Sequence, residues 1–510
     1  MSKVIPHHFI KEVLDYHLNS NNQFDFIFTF LKKFTVVSKS WNQAIIPHLS
    51  VKQYIKPTSS DTEWNRFKKL AKKYNFSQYR VFLPEYCLEY TTENVVCCDI
   101  RNVDKNTLDK LEKYNQLEKV NIIHSSTDNT IFVTFKDWLN TINKSRKQPL
   151  HYGLTYVLDR EYSDDFVGDL SQIEYMLNSI EFKEIIFSKL TISGITKPLI
   201  QQINGLVEIF MDKVIIDQWI LDSIIDHSPF VKSLRLENLE IQNESSLDNT
   251  LKKLSTSQMD LDFLRIESKQ NTSNFMTVLE FLNLVKSTEV RLSMDIICDN
   301  ITEILKNRPR INNPTIKMFE FSSLPLITSS GSRVLKNRIG FIGYNLLDFW
   351  GSKDQLHDIR VFYADAITPE ISNLRTLTFL ANHSLENEIS AHSIVKMNMP
   401  TLTHIDMRGL PSLVSSSLIQ ANRIVNKMNI YKMEFNEFIK LLEFNHPSLQ
   451  SLIIDNVKVE VDKVKVFVTT LQQNRNLMEL LLYYTFIPRG TQVVQEIQEI
   501  NKNLQHLIIN

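Results

Sequence analysis

Three apolar residues at i, i+3 and i+5 recur along most of the chain. They run Val95/Cys98/Ile100, Leu117/Val120/Ile122, Phe182/Ile185/Phe187, Leu206/Ile209/Met211, Val231/Leu234/Leu236, Leu261/Leu264/Ile266 and Ile316/Phe319/Phe321. The series continues with Leu356/Ile359/Val361, Leu374/Leu377/Phe379, Leu402/Ile405/Met407, Val425/Met428/Ile430, Leu449/Leu452/Ile454, Leu477/Leu480/Leu482 and Leu504/Leu507/Ile509, and weaker copies start at Leu154 and Ser287. The starts lie on average about 27 residues apart, the length of a strand-plus-helix repeat. In a short strand, i+3 and i+5 share one face while i+2, i+4 and i+6 share the other. Between triplets the period lengthens. Phe275/Val278/Leu279/Leu282/Val285 and Phe435/Phe438/Ile439/Leu442 have amphipathic helical spacing, closed by the polar turns Lys286-Ser287-Thr288 and Asn445-His446-Pro447-Ser448. No such unit can bury its apolar face alone, so the units must stack. The pattern predicts some fifteen strands in one curved parallel sheet, with helices or irregular turns on its convex side.

This pattern resembles the leucine-rich-repeat family over roughly residues 90–510. The resemblance implies an α/β leucine-rich-repeat solenoid whose concave face takes protein partners. The sequence departs from the family at the position eight residues after each start, where Asn or Cys is usual and Leu190, Val214, Leu239, Leu324, Leu410 or Val457 stands here. An apolar residue is therefore expected to fill the bend, and no buried asparagine ladder is expected. Spacing stretches between the starts at Ile316 and Leu356, and Gly331, Gly340, Gly343 and Gly351 fall in that interval. An irregular insertion is expected near 322–355.

The first 50 residues are patterned differently. As a helix, Phe24 to Phe34 places Phe24, Ile27, Phe28 and Leu31 on one face and Phe26, Phe30 and Phe34 on much of the other, and a helix apolar nearly all round must be buried nearly all round. With Ile5-Pro6, Val13-Leu14 and Val37-Ser38-Lys39-Ser40-Trp41, the segment resembles an F-box. That resemblance implies a small helical module over 1–50 that docks on the adaptor subunit of a cullin-RING ubiquitin ligase through Ile5, Pro6, Val13, Leu14, Phe26, Phe30, Val37 and Trp41. Residues 51–90 are expected to be linker and capping helices, and 91–510 the solenoid. Within the linker, Ser60 to Phe76 is read as a helix with a capping box at Ser60 and Glu63, an apolar stripe of Trp64, Phe67, Ala71 and Tyr74, and a basic face of Arg66, Lys68, Lys69, Lys72 and Lys73.

Chemistry is sparse. Only ten glycines occur in 510 residues, and the phosphate-loop, dinucleotide, nucleophile-elbow and zincin signatures are absent. Cys97 and Cys98 are adjacent on a strand and point to opposite faces, so they cannot share a metal. No catalytic residue, metal or cofactor is expected. A net charge of -1 removes any global attraction to nucleic acid or anionic membrane, and neither is expected as a partner. No signal-peptide pattern follows Met1, and no apolar run approaches a bilayer span, which predicts a cytoplasmic or nuclear chain.

The register locates a candidate binding surface. At the outward i+4 position stand Arg235, Arg265, Arg291 and Arg360, near Phe210, Phe263 and Phe362, with Glu237, Glu267 and Glu289 on the same face. Strands about 4.8 Å apart would stack these guanidinium groups in a column, either neutralised by the glutamates or open to an acidic or phosphorylated peptide. Together the resemblances imply a substrate-recruiting, non-catalytic adaptor of a ubiquitin ligase. The alternative is a leucine-rich-repeat scaffold whose N-terminal helices only cap the first repeat.

Overall fold

A computed structural model describes residues 10–11, 14–15, 18–19, 24–37, 39–57, 61–84, 87–88, 94–101, 103–124, 130–145, 154–159, 182–189, 191–192, 202–242, 244, 246–297, 307, 309–322, 349–351, 355–361, 371, 373–379, 392–409, 416–483, 493, 497, 501 and 503–509. The protein is α/β with parallel sheets. It divides into two compact units, Met1–Gln242 and Asn243–Asn510.

In the first unit, β1 (Ser50–Ile55), β2 (Gln78–Leu83), β3 (Val95–Ile100), β4 (Lys119–His124), β5 (Leu154–Asp159), β6 (Glu184–Ser188), β8 (Glu208–Asp212) and β10 (Ser233–Glu237) pair in chain order, each parallel to the next. After the later strands the chain turns through left-handed residues, Lys189, Lys213 and Asn238, into two-residue strands β7 (Thr191–Ile192), β9 (Ile215–Ile216) and β11 (Glu240–Ile241), which form a second small parallel sheet. Val214 and Leu239, at the eighth position, are buried in this bend. An apolar residue fills it there, as expected.

In the second unit β12 (Leu261–Asn274), β13 (Ser287–Ile297), β14 (Met318–Ser322), β15 (Asp358–Val361), β16 (Thr376–Phe379), β17 (His404–Met407), β18 (Lys427–Lys432), β19 (Ser451–Asn456), β20 (Glu479–Leu482) and β21 (His506–Ile509) make the same kind of ladder. The triplets set the register: Leu377, Ile405, Met428, Leu452, Leu480 and Leu507 are successive partners, all buried. Helices 275–284 and 435–444 bury the apolar stripes that their spacing predicts, and helix 464–473 buries Phe467, Val468 and Leu471.

A polar spine lies beneath the turns, three residues before the strand triplets. Asn422 donates to the Val395 carbonyl at 2.6 Å, and its Oδ1 accepts from the amides of Ile424 and Val425. His446 sits one repeat on, with Nε2 2.7 Å from the Asn422 carbonyl and Nδ1 accepting from Ser448 and Leu449. Asn474 and Asn501 repeat the arrangement, Asn501 reaching the carbonyls of Leu471 and Asn474 at 2.7 Å. Asn313 does the same for Leu282 and Val285. Each side chain satisfies amides of its own turn and carbonyls of the repeat before it, where water does not reach. The expectation of no buried asparagine ladder is thereby corrected: one is present, three residues before the triplets and not eight after their start, because the turn amides there need a buried acceptor.

The expected span 51–90 is also corrected. Residues 51–90 are not only linker and helix, because β1 and β2 lie in or beside that span and pair in parallel. Phe76, Tyr79 and Val81, all buried, are an i, i+3, i+5 triplet that marks β2 in the sequence itself. Helix 61–73 does form, with Trp64, Phe67 and Ala71 buried; Ser60 of the expected capping box lies outside the described residues. The insertion near 322–355 also lies mostly outside them. At its end Trp350 bridges to Ile311, and the Gly351 amide bonds the Ile311 carbonyl at 2.8 Å. A Cβ on Gly351 would stand 1.9 Å from Asn312 Oδ1, so any larger residue here would require the Asn312 side chain to move.

Candidate functional site: the open face of the parallel strands

In β8 and β10 burial alternates, one face closed by the core and the other half-exposed, whereas in β17, β18 and β19 three consecutive residues are buried, so that Asp406, Asn429 and Ile453 on the outward row are covered as well. The open face carries the polar and aromatic side chains. In the first unit Arg235 lies 4.3 Å over the Phe210 ring and 2.8 Å from Glu237. Lys119 bonds Glu184 at 2.8 Å, which holds its ammonium above the ordinary range despite burial. Asn121 donates to Asp99 at 2.8 Å; burial nevertheless raises the Asp99 carboxyl, and burial pushes the neighbouring Cys97 thiol up to about 12. A nucleophile held as a neutral, buried thiol is inert.

In the second unit the i+4 row reads Arg265, Arg291, Glu320, Arg360, Thr378, Asp406, Asn429, Ile453, Leu481, Ile508 across adjacent strands. Glu320 stands inside the arginine column. It lies 3.6 Å from Arg291 and 3.4 Å from Arg360, while Arg265 pairs with Glu267 at 3.0 Å and Arg291 also contacts Glu289. Phe263 lies 5.0 Å beneath the Arg291 guanidinium, and Phe362 lies outside the described residues. The structure thus brings Phe263, Arg265, Arg291 and Arg360 onto one face, but as a column neutralised by its own glutamates.

Farther along, Arg408 grips Asp406 through Nε and Nη2 at 2.7–3.2 Å, and Asn429 donates to the same carboxylate at 2.8 Å. Burial would raise the Asp406 carboxyl; these bonds overcome it and hold the group below its ordinary value. His404 is lowered by burial and by Lys427. The triplet register places Asp406 and Asn429 at i+4 in the sequence, but their convergence with Arg408 on one carboxylate follows only from the stacking of the strands.

The N-terminal positions separate. Leu14 and Phe30 are buried within the unit, so as docking residues they are corrected to core. Helix 24–34 spends its main apolar face on helix 61–73, with Phe24 5.4 Å from Trp64 and 5.6 Å from Phe67. Phe26 and Trp41 are half-buried, Trp41 stacking on Phe34 at 6.0 Å, while Val37 is 52% exposed beside an 80% exposed Val36. Ile5, Pro6 and Val13 lie outside the described residues.

A cleft of about 510 Å³ beside helix 61–73 is lined by Lys68, Lys72, Lys113 and several amides. Among the described residues no group of three or more His, Cys, Asp or Glu side chains could hold a metal, and no helix is long and apolar enough to cross a membrane. No protein-family model and no curated protein matches the sequence.

Proposed function

We propose that this chain is a non-catalytic recruiting protein of the leucine-rich-repeat type, whose open sheet face holds a protein partner. The observation that carries this reading is the ten-strand parallel ladder of the second unit, where core triplets close one face and the other carries half-exposed Phe263, Arg265, Arg291, Arg360 and Leu481 together with the exposed Tyr431. Such a surface positions a bound protein, and a tethered substrate meets a second bound enzyme at high effective concentration.

At the finer level, the F-box-like N-terminal residues would dock on the adaptor subunit of a cullin-RING ubiquitin ligase, with Val37, and Phe26 and Trp41 in part, offering apolar surface. Affinity capture of the full chain tests this. Near-stoichiometric adaptor, lost on changing Ile5 and Pro6 to Ala with the fold intact, supports the ligase role. A chain that captures none is a scaffold. One observation favours that second reading: the main apolar face of helix 24–34 is already covered by Trp64 and Phe67.

A further inference from the structure

The two ends of the second unit's open face differ in what they leave unsatisfied. At the β12–β15 end, Arg265, Arg291 and Arg360 are matched by Glu267, Glu289 and Glu320. An acidic peptide arriving there would have to displace carboxylates already in place. At the β18–β21 end the i+4 row turns apolar: Ile453 is buried, Leu481 half-buried and Ile508 36% exposed.

The row two residues on follows from the pairing of Met407, Ile430, Ile454 and Leu482 and reads Arg408, Tyr431, Asp455, Tyr483. Asp455 therefore sits between two tyrosines on neighbouring strands about 4.8 Å away on either side. Tyr431 is 42% exposed. Asp455 is half-exposed and makes no hydrogen bond or ion pair among the described residues. The cation in its row, Arg408, stands two strands off and is committed to Asp406 by its three short contacts. Burial accordingly raises the Asp455 carboxyl, Arg408 opposing and Asp406 adding to the rise.

A carboxylate with no hydrogen bond or ion pair of its own among the described residues, felt only at a distance by an Arg408 already paired to Asp406, flanked in register by two tyrosines and bordered by apolar Leu481 and Ile508, is complementary to a cation on an otherwise apolar strand of chain. We propose that the β17–β21 face binds an extended protein segment in which a Lys or Arg side chain stands beside apolar residues. The cation enters between Tyr431 and Tyr483 onto Asp455, and the apolar side chains lie along Leu481 and Ile508. This deepens, and rests on, the reading that the open face holds a protein partner.

The test uses the full chain against an array of synthetic dodecapeptides, with affinities of the selected peptides measured by fluorescence anisotropy. The expected result is enrichment of Lys or Arg next to Leu, Ile, Val or Phe. D455N should weaken those peptides about tenfold or more, and D455K should abolish selection for basic residues. K252E, on the exposed side of helix 248–256, controls for general charge effects, and circular dichroism confirms that each variant is folded. Selection of acidic peptides, undiminished affinity in D455K, or no peptide binding at all overturns the proposal. Loss of peptide binding with ligase-adaptor capture intact removes this surface and leaves the ligase role; the converse removes the ligase role and leaves the surface.

Discussion

His446 stands where three neighbouring repeats have asparagine, and this makes it a sharp probe of the polar spine. Its Nδ1 accepts from the Ser448 and Leu449 amides at 3.3 and 3.1 Å, which fixes the proton on Nε2, facing the Ile419 and Asn422 carbonyls at 3.1 and 2.7 Å. H446A orphans both amides in a site where the side chain is 3% exposed. At about 1–3 kcal/mol for each buried group left unpaired, the loss is about 4 kcal/mol, before any cavity is counted. H446N restores an acceptor and a donor in the geometry of Asn422, Asn474 and Asn501, and should lie within about 1 kcal/mol of the natural chain. Protonation of the ring would set a third donor against the two amides. Burial lowers the His446 pKa, with the Asn422 and Ile419 carbonyls opposing. The unfolded chain therefore binds the proton first, so the stabilisation is complete above an ordinary histidine pKa of about 6.5 and is lost as pH falls through the lower folded value. His404 titrates with the same sign, so the decisive quantity is the difference between the natural chain and H446N. Hydrogen exchange followed by mass spectrometry over residues 445–456 reads it locally, which suits a long array whose unfolding need not be two-state. H446A should cost about a thousandfold in protection, and acid sensitivity of this segment should be reduced in H446N. Unchanged protection in H446A, or an H446N as damaged as H446A, would refute the spine as a source of stability.

Three further outcomes are expected. Cys97 should resist a thiol-specific disulfide reagent near pH 8 until the chain unfolds, and because its folded pKa is raised to about 12 from an ordinary value near 9, stability should fall as pH climbs between those values. R291E, which sets a third carboxylate beside Glu289 and Glu320, should lower stability by about 1 kcal/mol, an effect that shrinks as salt is raised; a salt-independent loss would point to packing on Phe263 instead. D104A removes the side chain that caps helix 105–111 through the Thr107 amide at 2.7 Å, and should cost about 1 kcal/mol in thermal unfolding, while D104N should keep most of it.

The strand register was legible because it depends on local alternation. Once Leu452 and Ile454 must be buried, the side chains of Ile453 and Asp455 are committed to the other face, whatever the repeat's neighbours. The same rule would have found β2 from Phe76, Tyr79 and Val81, and Glu320 within the arginine column. The polar spine was equally periodic but unread, since Asn422, His446, Asn474 and Asn501 differ in type and resemble ordinary turn residues. What marks them is a carbonyl of the preceding repeat within hydrogen-bond reach, and that contact exists only after stacking. Tertiary structure alone also decided which charges remain available. From the chain, Arg265, Arg291 and Arg360 were cations on an open face and Asp455 was one carboxylate among many. Stacking at strand spacing neutralised the arginines with Glu267, Glu289 and Glu320 and tied Arg408 to Asp406, leaving Asp455 between two tyrosines. Electrostatic partnership falls steeply with distance, so it is set by which side chains the fold brings within a few ångströms, and sequence separation says nothing about that.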